Sequence, residues 1–155
     1  MSETGHTVKS YEEEMQSLND NLVMMGSLTE SQMADAMSAV IKVDKESVDK
    51  IVKSDGKINE LRSIIDNQIT TVLVKRAPMA VDLRITISTM KISHDLERIG
   101  DLAKSVAKKV KPLPVDLPDE LTASLRRLGD LVQKQLKDVL DAYLNKSKEK
   151  AIEIW

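Results

Sequence analysis

Apolar residues recur at intervals of three and four along almost the whole chain, and few residues interrupt them. Residues so spaced share one face of a helix, so the pattern calls for long amphipathic helices. Tyr11, Met15, Leu18, Leu22 and Met25 open it, and Met33, Ala36, Val40 and Val43 continue it after a phase shift near Gly26. Ile51, Ile58, Ile65, Ile69 and Val72 form a second run, and Leu121, Leu125, Leu128, Val132, Leu136, Val139 and Tyr143 a later one. Only 5 glycines and 4 prolines punctuate the 155 residues. The β-branched stretch Ile69 to Val74 could be a strand by composition, but it ends a helical pattern and reads as buried helix. The expected fold class is all-α.

The punctuation sets the elements. A first helix is expected from about Lys9 to Val43, after a disordered N-terminus, residues 1–8, that includes His6. Asp44 is the candidate N-cap of a second helix, with Ser47 the less favoured alternative. Gly56 lies inside that helix and costs it about 1 kcal/mol relative to Ala. Pro78 ends it and can occupy the first turn of a third helix, which runs to about Val110. Helices of about thirty residues joined by short turns must pack as antiparallel neighbours, so residues 9–111 read as a long three-helix bundle. Residues 112–118 form a Pro-rich linker. A fourth helix begins with Asp119 and Glu120, acids that suit its N-terminus. The final residues, KEKAIEIW, start a further apolar pattern.

Composition excludes several functions. With 23 basic and 25 acidic residues, net charge −2, the chain lacks the basic surplus of a nucleic-acid binder. It has no Cys, so neither a disulfide framework nor a thiolate metal site can form. Any metal would take carboxylates, His or backbone oxygens, which suits divalent ions, iron or zinc. With no Phe and 8 Met, the core must be aliphatic with Met filling gaps. No apolar run reaches the ~18 residues of a membrane span, and the N-terminus lacks a charged-then-apolar leader. A cytoplasmic protein without membrane insertion is expected. Without a Cys nucleophile, a Gly-rich phosphate loop or a Ser–His–acid set, no enzyme is expected.

The chemistry-bearing residues gather on the third helix, in RAPMAVDLRITISTMKISHDLERIGDLAKSVA, Arg76 to Ala107. His94, Glu97 and Asp101 fall within a ~60° sector of one face. Ile92, Leu96, Ile99, Ala103, Val106 and Val110 form a stripe roughly opposite, so the acids should face solvent or a metal ion. Carboxylates four apart repel each other unless a cation lies between them. A solvated face neutralised by Lys104 and Lys108 is the competing reading. His94 could complete a His–carboxylate site or simply be exposed. Asp55 and Asn59 repeat the spacing on the second helix, but Asn is a neutral and weaker donor. Asp55 is a candidate ligand or, alternatively, a paired polar residue between helices. Arg84 and Arg98 flank the acidic face. Asp95, three residues before Arg98, suggests a structural ion pair.

Pro78, Ala80, Asp82, Leu83, Arg84, Lys91, Ile92 and the run Asp95 to Ala103 resemble the PhoU family of bacterial phosphate-signalling regulators. A weaker likeness covers most of the chain. The resemblance implies a cytosolic negative regulator of phosphate uptake and phosphate-starvation signalling. It would act as an adaptor between the ATPase subunit of a phosphate ABC transporter and a sensor histidine kinase, as a homodimer. It also implies that the acid, three residues, Asp pattern of Glu97 and Asp101 belongs to a surface metal cluster. Asn59 departs from the second acid expected on helix two. Asp82, Arg84, Asp95 and Arg98 would be structural or interaction residues. Complete members carry two three-helix repeats, so residues 119–155 read as the start of a truncated second one. Two other readings stay open. One is a helical interaction module without ligand. The other is a metal-storage or di-iron bundle, which needs acids pointing into the core.

Overall fold

A computed structural model describes residues 3–155 of the chain. Helix α1 spans Glu3–Lys42, α2 Val48–Arg76, α3 Ala80–Lys108, α4 Asp119–Leu144 and α5 Lys148–Ile154. No strand occurs among the described residues, and Ile69 to Val74 lie within α2. α1 opens at Glu3, ahead of the start expected at Lys9; residues 1 and 2 lie outside the described residues. At ~1.5 Å per residue, α1 is roughly 60 Å long, and α2 and α3 run back and forth beside it.

Short connections force that arrangement. Asp44 Oδ1 accepts the backbone N–H groups of Glu46 and Ser47, each at 3.1 Å, and so caps the approach to α2. The helix itself begins at Val48, with Ser47 in the N-cap position. At the other end of α2, Ala77 turns the chain in a left-handed conformation, φ 43°, ahead of Pro78.

The bundle has two apolar clusters with a polar layer between them. Leu18, Leu22, Met25, Ile58, Leu61, Ile65, Ile69 and Leu96 fill the first, together with Leu136 of α4. Ala36, Ala39, Val40, Val48, Ile51, Ala103, Ala107 and Val110 fill the second. Between them each helix contributes a polar or open position, namely Gln32, Asp55 and Gly100. Gln32 and Asp55 are 2% and 3% exposed.

α3 buries Thr86, Thr89, Ser93, Leu96, Gly100, Ala103 and Ala107. At 100° per residue this face is turned by about 70° from the expected stripe, toward the acids. Small residues cause the turn, because they let α3 approach its neighbours closely while the larger Ile92, Ile99 and Val106 pack at the edge. Glu97 and Asp101 therefore stand beside the buried face rather than opposite it. Glu97 faces Arg62 of α2, and Asp101 is joined to α2 only through Lys104.

α4 lies antiparallel along α1. Two glycines mark the close approach: a Cβ on Gly26 would lie 3.0 Å from Leu140 Cδ1, and one on Gly129 would lie 2.8 Å from Met37 Cε. Leu136 and Ala142 are buried. Leu121, Leu128, Leu131, Val132 and Val139 on the other flank are exposed.

Candidate functional site: the charged seam between α2 and α3

Two basic side chains hold the acids of this seam. Lys104 Nζ donates to Asp55 Oδ2 on α2 at 2.6 Å and to Asp101 Oδ1 on its own helix at 2.5 Å. Asp55 also accepts Gln32 Nε2 on Oδ1 at 3.0 Å and Asn59 Nδ2 on Oδ2 at 3.2 Å. The Asp55 side chain is 4% exposed and that of Asp101 48%, so the ammonium bridges an interior carboxylate to a surface one. Asp101, then Asp55, holds the Lys104 pKa above the usual lysine value.

Arg62 governs the next two turns. Its Nη1 lies 3.6 Å from Glu97 Oε1, and its Nε 3.6 Å from Asp66 Oδ2. His94 Nε2 stands 3.2 Å from Asp66 Oδ1 and 3.5 Å from Arg62 Nη2. These distances place Arg62 among three side chains without a tight hydrogen bond to the carboxylates. Its Nε is buried without a hydrogen-bond partner.

Three of the four candidate ligands thus face one of two cations, and the fourth faces a carboxylate. Asp55 and Asp101 meet at Lys104, Glu97 faces Arg62, and His94 faces Asp66. Among the described residues no three His, Asp or Glu side chains converge to hold a metal ion. Asn59 turns its amide N–H toward Asp55 and so acts as a donor there. This donor set does not fit the metal cluster implied by the resemblance. Asp55 pairs across the seam with Lys104, which also meets Asp101. Among the described residues Lys108 forms no ion pair.

Arg84, Arg98, Asp82 and Asp95 are all exposed. The Asp95–Arg98 pair expected from spacing is not formed among the described residues. Holding two long side chains together in water returns too little to fix the pair. Asp82 acts on Tyr11 across the bundle end: burial first, and then the Asp82 charge, raises the Tyr11 pKa.

Sequence reading missed Arg62, Asp66 and Gln32. Arg62 and Asp66 carry the i,i+4 signal of paired charges one and two turns beyond Ile58. Gln32 sits where the α1 apolar pattern changes phase, and a polar residue there was the available sign of a buried layer.

The helices, their order and the motif-bearing α3 have counterparts in known proteins. Residues 22–110 match the PhoU domain family. The chain belongs to the PhoU family. It is 42% identical over 153 residues to the phosphate-specific transport system accessory protein PhoU homolog of Caulobacter vibrioides, covering 98% of this chain and 66% of the relative. The chain therefore spans just under two thirds of that relative's length. A PhoU homolog from Clostridium acetobutylicum is 34% identical over 149 residues, covering 96% of this chain and 68% of the relative. The crystal structure of PhoU from Pseudomonas aeruginosa superposes with a TM-score of 0.83 at 32% identity, over 92% of this chain and 69% of that one. The PhoU structure from Streptococcus pneumoniae gives 0.84 at 32% identity, over 93% and 68%.

Proposed function

We propose that this chain is a regulatory adaptor of phosphate uptake. It would restrain a phosphate ABC transporter and report the transporter's state to a sensor histidine kinase through direct contact. The observation that carries this reading is the match, over nearly the whole chain, to accessory proteins of phosphate-specific transport.

The surface is compatible with contact as the mode of action. Leu121, Leu128, Leu131, Val132 and Val139 expose an apolar strip along α4. Such a strip on an amphipathic helix can receive partner helices. No helix among the described residues is long and apolar enough to cross a membrane. The reading therefore places the chain against the transporter's ATPase subunit rather than within its membrane domain. We place it in the cytoplasm, and the homodimer implied by the family resemblance belongs to the same reading.

The test is complementation. The chain is expressed in a bacterium that lacks its own PhoU, and a phosphate-starvation reporter is measured in phosphate-replete medium. Restored repression, with the ATPase subunit co-purifying, is the expected result. A chain that accumulates in folded form yet leaves the reporter fully induced would defeat the proposal.

A further inference from the structure

The Lys104 ammonium sits between a buried carboxylate of α2 and an exposed one of α3, where a bound cation would have to lie to reach both. The polar groups that meet Asp55 are donors. Gln32 Nε2 and Asn59 Nδ2 donate to its two oxygens. Gln32 Oε1 accepts from Ser54 Oγ at 3.0 Å. Gln32 Nε2 also donates to the Gly100 carbonyl at 2.8 Å. Both Asp55 oxygens are therefore taken by N–H donors, Oδ1 by Gln32 and Oδ2 by Asn59 and Lys104.

We propose that Lys104 is a built-in cation. Its ammonium ties α2 to α3 through Asp55 and Asp101 in place of a metal ion, so the seam assembles without metal. A divalent ion competes only when Lys104 is removed.

The physical basis is local concentration and charge. A side chain anchored one turn from Asp101 brings its charge to the site without a binding equilibrium, whereas a soluble ion must be drawn from dilute solution. It also offers three N–H donors and needs no ring of oxygens, which suits a site where Asn59 points a donor inward. The like-charge repulsion between the two carboxylates is cancelled permanently.

The experiment compares wild type, Lys104→Met and the Lys104→Met/Asp55→Asn double variant by thermal unfolding, in EDTA and in millimolar Mn2+, with elemental analysis of each. Wild type should carry no stoichiometric metal and keep its Tm in both buffers. Lys104→Met should lose about 5 °C in EDTA, because an interior carboxylate is left uncompensated. Mn2+ should restore part of that loss. The double variant should recover stability in EDTA and ignore Mn2+. Three results would overturn the proposal: metal-loaded wild type that loses Tm in EDTA, Lys104→Met as stable as wild type, or Lys104→Met unmoved by both Mn2+ and Asp55→Asn. The double variant separates lost charge balance from lost packing of the lysine stem, since only the former is repaired by neutralising Asp55.

Discussion

Gln32 on α1 donates from Nε2 to Asp55 Oδ1 on α2 at 3.0 Å, inside the polar layer that divides the core. The same nitrogen reaches the Gly100 carbonyl of α3 at 2.8 Å, so one amide ties three helices together. Apolar clusters tolerate a helix sliding by a turn, because one Ile or Leu replaces another. A buried donor with two fixed acceptors does not, because a slip strands both.

Replacing Gln32 by Leu should therefore destabilise the bundle by about 1–3 kcal/mol, although the new side chain is apolar and similar in size. The loss comes from Asp55 Oδ1 and the Gly100 carbonyl, each deprived of a donor. Gln32→Glu should cost more at neutral pH, since it sets a second carboxylate beside Asp55. Urea unfolding of the three proteins reads both differences. A Gln32→Leu variant as stable as wild type would show that the layer does not hold the register.

Two glycines inside helices should answer the same substitution with opposite signs. A Cβ on Gly56 meets nothing within 4 Å. Gly56→Ala should gain about 0.5–1 kcal/mol from helix propensity alone. A Cβ on Gly100 would lie 3.0 Å from Ile58 Cδ1 and 3.6 Å from Asp55 Oδ1. Ile58 is fully buried in the first apolar cluster. Overpacking at such a site costs about 1–3 kcal/mol, enough to outweigh the propensity gain. Chemical denaturation midpoints of Gly56→Ala and Gly100→Ala should move in opposite directions.

These residues also show what the sequence could reveal. Long runs of apolar residues at helical spacing, broken near Asp44, Pro78 and the proline cluster at residues 112–118, place four helices and the antiparallel order of the first three, but not the packing of α4 on α1. The facing of α3 was not legible in the same way. Its apolar stripe shares Leu96 and Ala103 with the buried side, which is otherwise built from the small residues Thr86, Thr89, Ser93, Gly100 and Ala107. Close approach between helices rewards small side chains, and hydropathy does not register that. The apolar stripe alone therefore turns the acids toward solvent or a metal ion, whereas Glu97 stands 3.6 Å from Arg62 of α2. Spacing could pair Glu97 with Asp101 but could not place Arg62 or Lys104 between helices, because that partnership is set by tertiary contact.

The bundle end where α1 meets the C-terminus of α2 should carry part of the acid sensitivity. Arg76 donates to both Glu14 oxygens, from Nε at 3.0 Å and from Nη2 at 2.9 Å. That hydrogen bonding, chiefly, holds the Glu14 pKa below its ordinary value, against an opposing effect of burial. A lowered folded-state pKa means the unfolded chain binds the proton more readily. The pair therefore stabilises the fold above the unfolded value of about 4.3, and that stabilisation fades as pH falls through the folded-state value. Glu14→Gln should be less stable than wild type at pH 7, and the gap should close as pH falls from about 5 to about 3. Both side chains are partly exposed, so added salt should shrink the neutral-pH gap. A gap that stays constant across this range would place the stabilisation in packing rather than charge.

The two flanks of α4 should separate folding from association. Leu136 is buried against the bundle at 8% exposure, whereas Leu128 and Val139 stand 58% and 48% exposed. Leu136→Glu would force a carboxylate into an apolar cluster and should detach α4 from α1, seen as a large loss of thermal stability. Leu128→Glu with Val139→Glu changes surface positions only, so bundle stability should move by no more than about 0.5 kcal/mol per site. If the exposed strip receives partner helices, this second variant should nevertheless lose co-purification of the transporter's ATPase subunit and fail to restore repression of the reporter. Its circular dichroism and Tm would match wild type. Retained binding in the folded double variant would move the docking surface away from α4, toward the other exposed apolar residues at the α2–α3 end, Val74, Met79 and Val81.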